Sequence, residues 1–132
     1  MRGGKGSVCE GEGVIRLKRV YDEPAPEDGF RVLVERLWPR GMTKERAQIV
    51  LWIREAGAST ELRKWFSHDP DKWEEFRQKY FLELSERPEV IRQLVDLINE
   101  NKVVTFLFAA HDEEHNNAVA LKMYLEKRGD GL

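Results

Sequence analysis

The sequence predicts an α/β fold, with a small, mostly parallel sheet of about four strands flanked by helices in a three-layer, Rossmann-like arrangement. The strongest indication is residues 103–108, VVTFLF, an apolar and β-branched run typical of a buried strand. Helical patterns precede and follow this run, and strands connected through helices pair in parallel. A polar turn, residues 111–117, joins the run to the next helix. Ligands of such sheets bind outside the carboxyl ends of the strands, so we expect a site at this turn.

The length of the chain, 132 residues, predicts one domain that can bury a core without disulfides or metals. Residues 1–13 contain five glycines and little to bury, so we predict a flexible N-terminal tail there and a single domain over residues 14–128. The formal net charge of −2 gives no overall attraction to nucleic acid or to an anionic membrane.

The compartment is predicted from cysteine usage and hydropathy. Cys9 is the single cysteine, which excludes an intramolecular disulfide and fits a reducing, intracellular setting. No apolar run approaches the roughly 18 residues of a membrane span, and no apolar stretch follows the basic N-terminus as in a signal peptide. We therefore expect a cytoplasmic protein with no membrane partner.

Three further strands are predicted before residues 103–108. Residues 14–20 alternate apolar and basic side chains, as a half-exposed strand at a sheet edge does. Residues 30–37 form a second alternating strand, which the WPRG sequence ends because proline cannot donate to the ladder. Residues 49–53, IVLWI, are predicted as a third, buried strand, with a helical segment as the alternative.

The helices are predicted from their first residues and from the spacing of apolar side chains. The residues expected to begin them are Thr43, Thr60, the Asp69-Pro70 pair, Pro88 and Asp112. The helices that follow are expected over residues 44–47, 61–66, 70–84, 88–99 and 112–127, and Gly129 is expected to end the last one.

Three stretches read together resemble the YeaO-like branch of domain of unknown function 488. They are RVLVERLWPRGMTKE (31–45), STELRKWFSHDPDKWEEFRQKY (59–80) and AAHDEEHNNAVAL (109–121). The resemblance covers about residues 15–125 and implies a small cytoplasmic α/β protein with a parallel sheet and no established activity. A related branch has Cys-His-Arg at the positions of Glu114-His115-Asn116, so this chain lacks the thiol that such chemistry would need.

Asp112 and His115 are the candidate catalytic residues, because they lie in the polar turn and are spaced so that they can meet on one face. A carboxylate beside a histidine fixes the tautomer of the ring and suits it to act as a general acid or base. The simpler alternative is that Asp112 caps the last helix and His115 only hydrogen-bonds the loop. Asn116 is expected to help shape the pocket.

Four cationic residues lie in or near the WPRG sequence: Arg36, Arg40, Lys44 and Arg46. Guanidinium groups and helix N-termini both bind anions. If the second and fourth strands are neighbours, Arg36 and Arg40 face the His115 turn and can hold a phosphate or carboxylate there. The alternative is an ion pair of Arg36 or Arg40 with Asp112 or Glu114, which would lock two loops together without any ligand.

Two aromatic or imidazole side chains complete the candidate pocket. Trp38, beside the arginines, is exposed and able to stack on a base of single-stranded nucleic acid, or it is buried beneath the turn. His68 is a second site histidine, or it only hydrogen-bonds the loop before Asp69. We predict no metal site, because His111 precedes the helix that carries His115 and no third ligand is evident.

No cofactor is predicted, since the sequence has no P-loop, GxGxxG, GxSxG or CxxC motif. We hypothesise a hydrolase or transferase that acts on a phosphorylated or carboxylated small molecule. The alternative is a non-catalytic module that binds an anionic ligand or single-stranded nucleic acid. A third interpretation is that the polar cluster is purely structural.

Overall fold

The described part of the chain contains a parallel sheet of four strands, as predicted from the sequence. The structure is a computed structural model that describes residues 13–130 and the side chains of residues 13–127. The strands are β1 (Val14–Arg19), β2 (Phe30–Leu33), β3 (Leu51–Trp52) and β4 (Val103–Phe108), in the order β1-β4-β2-β3. The predicted N-terminal tail lies, except for Gly13, outside the described residues.

Within residues 13–130, five α-helices connect or follow the strands. They are α1 (Lys44–Ala47), α2 (Thr60–Phe66), α3 (Trp73–Ser85), α4 (Pro88–Glu100) and α5 (Asn117–Asp130). The predicted cap of Thr43 is confirmed, since its side chain accepts a hydrogen bond from the N–H of Arg46. Asp69 likewise caps the turn that leads into α3. None of the helices in residues 13–130 is long and apolar enough to cross a bilayer.

The two faces of the sheet are covered unequally. Alternate side chains of β2 and β4 on one face, including Val32 and Phe106, pack against α2, α3, α4 and α5 in the main core. On the other face, Leu33 and Leu107 pack in a small cluster with Ala47 of α1. The alternation of each strand therefore separates a large helical layer from a thin one.

A buried charged group completes the thin side. The carboxylate of Asp28 accepts hydrogen bonds from the guanidinium of Arg31, from Nζ of Lys18 at 3.1 Å and from the N–H of Ala25 at 3.0 Å. Arg31 also donates to the carbonyl oxygen of Ala47 at 2.9 and 2.6 Å. Burial by itself raises the pKa of Asp28, but the Ala25 N–H and the two cations together hold it below its ordinary value.

Strands β2 and β3 are shorter than the sequence predicts. The expected strand over 30–37 ends at Leu33, and the expected strand over 49–53 is reduced to Leu51–Trp52. Beyond Leu33, side chains take the backbone carbonyls that a strand would use. Nδ2 of Asn117 donates to the carbonyl of Val34 at 2.7 Å, and Nε1 of Trp52 donates to that of Glu35 at 2.7 Å.

The last helix begins later than predicted. α5 starts at Asn117 rather than at Asp112, and Asn116 caps it, because Oδ1 of Asn116 accepts from the N–H of Val119 at 3.0 Å. Asp112 instead closes a turn outside the helix. The prediction that Gly129 ends this helix is also wrong, since α5 continues through Asp130.

Two smaller boundaries also differ from prediction. Ser59 caps α2 in place of Thr60, since its side chain accepts from the N–H of Leu62. Residues 70–72 form a 3-10 turn, and the α-helical part begins only at Trp73. Ser59 and Thr60 both carry a hydroxyl group that can cap a helix, and the first turn of a helix is often 3-10.

Candidate functional site

The edge formed by the carboxyl ends of β2 and β4 corresponds to the place where ligands bind in open parallel sheets. The two strands are neighbours, as the sequence argument required. After β4 the chain continues to α5, on the face of the sheet that carries the main core. After β2 it continues to α1, on the opposite face, which carries the small cluster. In open parallel sheets a crevice forms between neighbouring strands whose connections leave on opposite faces. The polar turn predicted to carry the site begins at this position, directly after β4.

Glu35 lies at this position, although it is not among the site residues predicted from the sequence. Its Oε2 accepts a hydrogen bond from the backbone N–H of Ala109 at 3.0 Å, across the ends of β2 and β4. Burial raises the pKa of Glu35, against the opposite effects of the Ala109 N–H and the cation of Arg63. One signal was present in the sequence: Glu35 falls on the same alternating face as Arg31 and Leu33, where a strand buries its side chains.

Asp112 and His115 form the predicted pair. Oδ2 of Asp112 lies 2.9 Å from Nδ1 of His115, and Oδ1 accepts from the N–H groups of Glu114 and His115 at 2.9 and 3.0 Å. The Glu114 N–H, followed by the imidazole, holds the pKa of Asp112 below its ordinary value. When the ring is neutral and donates Nδ1–H to Asp112, its Nε2 carries the free lone pair.

The surroundings of His115 are aromatic on one side and open on another. The indole of Trp73 meets the imidazole edge to face, with ring centroids 5.3 Å apart. The side chain of His115 remains 31% exposed. The ring is therefore held by a carboxylate and an indole while solvent, or a ligand, has access to it.

Asn116 has a structural use in this turn. Its side chain is buried, with 3% of its surface exposed. Nδ2 donates to the carbonyl of Asp112 at 2.9 Å while Oδ1 caps α5. The amide thus fixes the backbone that carries Asp112 and His115.

Arg36 is engaged by backbone carbonyls. Its Nη2 donates to Gly57 at 3.1 Å and its Nε to Ala58 at 3.4 Å. Burial and the nearby cation of Arg87 lower the pKa of Arg36. A Cβ on residue 57 would come within 2.5 Å of the backbone nitrogen of Arg36, so glycine allows the two backbones to approach this closely. Arg36 therefore holds the loop before α2, and its described bonds do not reach the Asp112–His115 turn.

Arg40 and Trp38 lie on the exposed turn that follows β2. Nε1 of Trp38 donates to the carbonyl of Met42 at 2.7 Å, and its ring packs edge to face on Trp52 with centroids 5.2 Å apart. The hydroxyl of Tyr21 donates to the carbonyl of Arg40 at 2.9 Å. Trp38 is thus exposed, as one of the two sequence interpretations had it, and is fixed in place by these contacts.

Tyr21 and Arg19 connect this turn to the polar turn after β4. The guanidinium of Arg19 lies 5.2 Å above the ring centroid of Tyr21. Its Nε donates to the carbonyl of Ala110 at 2.9 Å. Among residues 13–127, no ion pair joins Arg36 or Arg40 to Asp112 or Glu114. The turn after β2 and the turn after β4, which the alternative prediction joined by an ion pair, are therefore joined through Tyr21 and Arg19 instead.

His68 lies at the end of α2 in a left-handed backbone conformation, with φ of 58°. Its ring centroid is 6.4 Å from that of Phe66, which in turn lies 6.1 Å from that of Trp73. His68 and His115 are therefore at opposite ends of an aromatic row. Within residues 13–127, no three His, Asp or Glu side chains are grouped to hold a metal ion.

A groove of about 550 Å³ opens at the opposite end of the sheet, beside the amino ends of the strands. Phe30, Val50 and Lys102 are among the residues that line it. The groove and the polar turn after β4 are therefore at different ends of the strands.

The sequence profile of DUF488-N3i, described as the inactive DUF488-N3 subclade, matches residues 14–130. The chain belongs to this family. The uncharacterized protein YeaO of Escherichia coli (strain K12) is 38% identical over 111 residues, which cover 84% of this chain and 96% of YeaO. The uncharacterized protein Rv3073c of Mycobacterium tuberculosis (strain ATCC 25618 / H37Rv) is 34% identical over 114 residues, which cover 86% of this chain and 95% of Rv3073c. No solved structure matches the chain.

The predicted resemblance to the YeaO-like branch is confirmed by these comparisons. In this DUF488-N3i chain, the described contacts bring together Asp112, His115 and Asn116 at the end of β4. They connect the Arg40 turn to the same edge of the sheet, and they direct Arg36 to a different loop.

Proposed function

We propose that this DUF488-N3i protein is a cytoplasmic, non-catalytic module that binds a phosphorylated or carboxylated small molecule at the carboxyl ends of β2 and β4. The observation that carries the proposal is the 2.9 Å contact between Asp112 and Nδ1 of His115, beside a ring that is 31% exposed. With Nδ1 occupied by the carboxylate, a protonated ring has its Nε2–H free to donate to an anion. The cytoplasmic placement rests on the single cysteine.

Arg40 supplies the second anion contact in this proposal. The residue is exposed, and its backbone is held by the hydroxyl of Tyr21. Its guanidinium makes no hydrogen bond or ion pair with any of residues 13–127. A guanidinium in this position offers two parallel N–H groups to a phosphate or carboxylate. Arg36 and Asn116 act as positioning residues, through the loops that they hold.

The description of the DUF488-N3i subclade as inactive supports binding over catalysis. The structure adds a physical reason that points the same way. The carboxylate of Glu35 already occupies the N–H of Ala109 between β2 and β4. An N–H that already has a protein carboxyl as its partner is not free to bind an anionic substrate at this edge. A ligand is therefore expected on the outer part of this edge, near Arg40 and His115.

A hydrolase or transferase is the second candidate function, and the Asp112–His115 contact favours it. A neutral His115 with Nδ1–H on Asp112 has Nε2 free to take a proton from water or from a hydroxyl group. If this candidate is correct, the protein turns over a phosphorylated or carboxylated substrate, and His115→Asn abolishes that turnover. The module requires binding of the same ligand without turnover.

The test is a titration of isotope-labelled protein with inorganic phosphate, acetate and ribose 5-phosphate, followed by backbone and histidine-ring NMR signals. We expect saturable shifts at residues 40, 112 and 115. Loss of one charge-assisted hydrogen bond in Arg40→Gln should weaken binding about 10-fold or more. Arg92→Gln is the matched control, because Arg92 is exposed on α4, away from the proposed site.

Three outcomes decide between the interpretations. Equal weakening by Arg40→Gln and Arg92→Gln would mean that the anion is attracted by overall charge, and the site would be rejected. The absence of saturable shifts with every ligand would reject both the module and the enzyme. Hydrolysis of p-nitrophenyl phosphate or p-nitrophenyl acetate that persists in His111→Asn and disappears in His115→Asn would replace the module with the enzyme.

A further inference from the structure

Two exposed aromatic side chains flank Arg40 on the surface proposed to bind the anion. Trp38 is 37% exposed and Tyr21 is 41% exposed, although both side chains are large and largely apolar. Tyr21 reaches the backbone of Arg40 through its hydroxyl, and Trp38 precedes Arg40 by two residues. The turn after β2 thus carries an exposed indole two residues from Arg40, and the exposed Tyr21 bonds the Arg40 backbone.

The indole of Trp38 is held rigidly. Its N–H is satisfied by the carbonyl of Met42, so no polar atom of the ring needs a ligand or water. Its edge-to-face contact with Trp52 supports it from one side. Trp52 is itself anchored by its N–H on the carbonyl of Glu35 and covered by the guanidinium of Arg54 at 5.2 Å. A ring fixed in this way loses little conformational entropy when another flat group stacks on it.

The ring of Tyr21 is also held in place. Its hydroxyl is bonded to Arg40, and the guanidinium of Arg19 covers the ring at 5.2 Å. Arg19 is in turn fixed by the carbonyls of Ala109 and Ala110, directly before the polar turn. Tyr21 is therefore connected, through Arg19, to the residues that lead into the polar turn of His115.

We propose that the anion bound at this edge is the phosphate of a nucleotide, whose base stacks on Trp38 while its phosphate contacts Arg40. This inference rests on the proposed anion-binding function and specifies its ligand. Stacking on an aromatic side chain accepts any base, because every base has a π face. Free nucleotides and short single strands share this chemistry. The net charge of −2 and the single short turn do not match the extended cationic surface that a duplex requires.

The experiment measures the affinity of the protein for AMP, ribose 5-phosphate, adenosine and a four-residue single-stranded oligoadenylate by isothermal titration calorimetry. Because stacking of one base is worth about 5-fold to 150-fold in affinity, AMP should bind more tightly than ribose 5-phosphate by a factor in that range. Trp38→Leu should remove this difference, and Trp38→Phe should retain most of it. Trp65→Phe, in α2, is the matched control and should bind as the parent protein does.

Thermal unfolding confirms that each variant is folded before it is titrated. Tyr21→Leu is the second variant, because it removes an exposed ring without touching the Trp38–Trp52 contact. It should reduce the preference for AMP less than Trp38→Leu does. Tighter binding of the oligoadenylate than of AMP would assign the site to a single strand, and equal binding would assign it to a free nucleotide.

The failures are distinguishable from each other. If ribose 5-phosphate and AMP bind equally well, and Trp38→Leu leaves both unchanged, the nucleotide inference is overturned while the anion site stands. If neither phosphate compound binds, the proposed function itself is overturned. If adenosine binds as tightly as AMP, the base is recognised without the phosphate, and the role assigned to Arg40 is rejected.

Discussion

The carboxylate of Glu35 accepts a hydrogen bond from the backbone N–H of Ala109 at 3.0 Å, which joins the carboxyl ends of β2 and β4. This bond places an acid of the protein itself where a sheet of this kind receives an anionic ligand. Burial raises the pKa of that acid, so its charged form is disfavoured by the fold.

We expect the stability difference between Glu35→Gln and the parent protein to depend on pH. A carboxyl whose folded pKa is raised contributes stability that is fully present below its unfolded pKa and is lost as pH rises through its folded pKa. Glutamine can still accept the Ala109 N–H but does not ionise. The free energy of unfolding of Glu35→Gln should therefore increase relative to the parent protein as pH rises above the ordinary range of a carboxyl.

Urea denaturation at a series of pH values between about 4 and 8 measures this difference, since it spans the range from the ordinary carboxyl pKa to neutrality. Glu23→Gln is the control, because Glu23 is exposed in the loop after β1. A difference for Glu35→Gln that stays constant over the whole range would contradict the raised pKa.

Among the charged groups of the described residues, disruption of the buried pair of Asp28 and Arg31 should lower the free energy of unfolding most. In Asp28→Ala the charge of Arg31 is left buried with only the carbonyl of Ala47 as its partner. Breaking a buried pair in this way costs about 3–5 kcal/mol in the free energy of unfolding. The double variant Asp28→Ala/Arg31→Met removes the stranded charge and should recover part of the loss.

Denaturation in urea tests this expectation, with Lys18→Met as the comparison. The Lys18 side chain is 20% exposed, so losing its contact with Asp28 should cost much less. The lowered pKa of Asp28 also predicts that its stabilisation is present above the unfolded pKa and is lost as pH falls through the folded pKa. A double variant less stable than Asp28→Ala would show that Arg31 does not depend on the carboxylate.

Asn116 should behave as the N-cap of α5. Asn116→Ala removes the acceptor for the N–H of Val119 and should lower the free energy of unfolding by about 1 kcal/mol or somewhat more. Asn116→Ser retains an oxygen that can cap the helix and introduces no buried charge, so it should be the milder change. Asn99→Ala, at an exposed position of α4, provides the matched control and should be nearly neutral. Equal losses for Asn116→Ala and Asn99→Ala in thermal or urea unfolding would argue against this cap.

Asp112 should protect two amides of the polar turn from hydrogen exchange. Its Oδ1 accepts from the N–H groups of Glu114 and His115. In Asp112→Ala both amides should exchange faster, and in Asp112→Asn exchange should be intermediate, because an amide oxygen still accepts. Exchange followed by NMR measures this, with the amide of Leu107 in β4 as the internal reference. Unchanged rates at residues 114 and 115 in Asp112→Ala would contradict the turn.

The sequence by itself predicted the features that depend on local patterns. The strand Val103–Phe108 has the predicted bounds, because an unbroken apolar run between polar turns has few other ways to be buried. The caps of Thr43 and Asp69 were also found, since each side chain bonds a backbone N–H two or three residues along. Asp112 and His115 do pair, at 2.9 Å, but they do so within a turn before α5 and not on the helix face from which the pairing was predicted.

Only the tertiary structure decided which residues far apart in sequence become partners. Whether Asp112 or Asn116 caps α5 depends on where the turn after β4 meets the end of β2, and there Asn117 bonds the carbonyl of Val34. The contact of Glu35 with Ala109 spans 74 residues, and that of Arg36 with Gly57 spans 21 residues. Residue patterns report short-range periodicity and capping, whereas the partner of a side chain between two strands is set by strand order, which the pattern of a single strand does not contain.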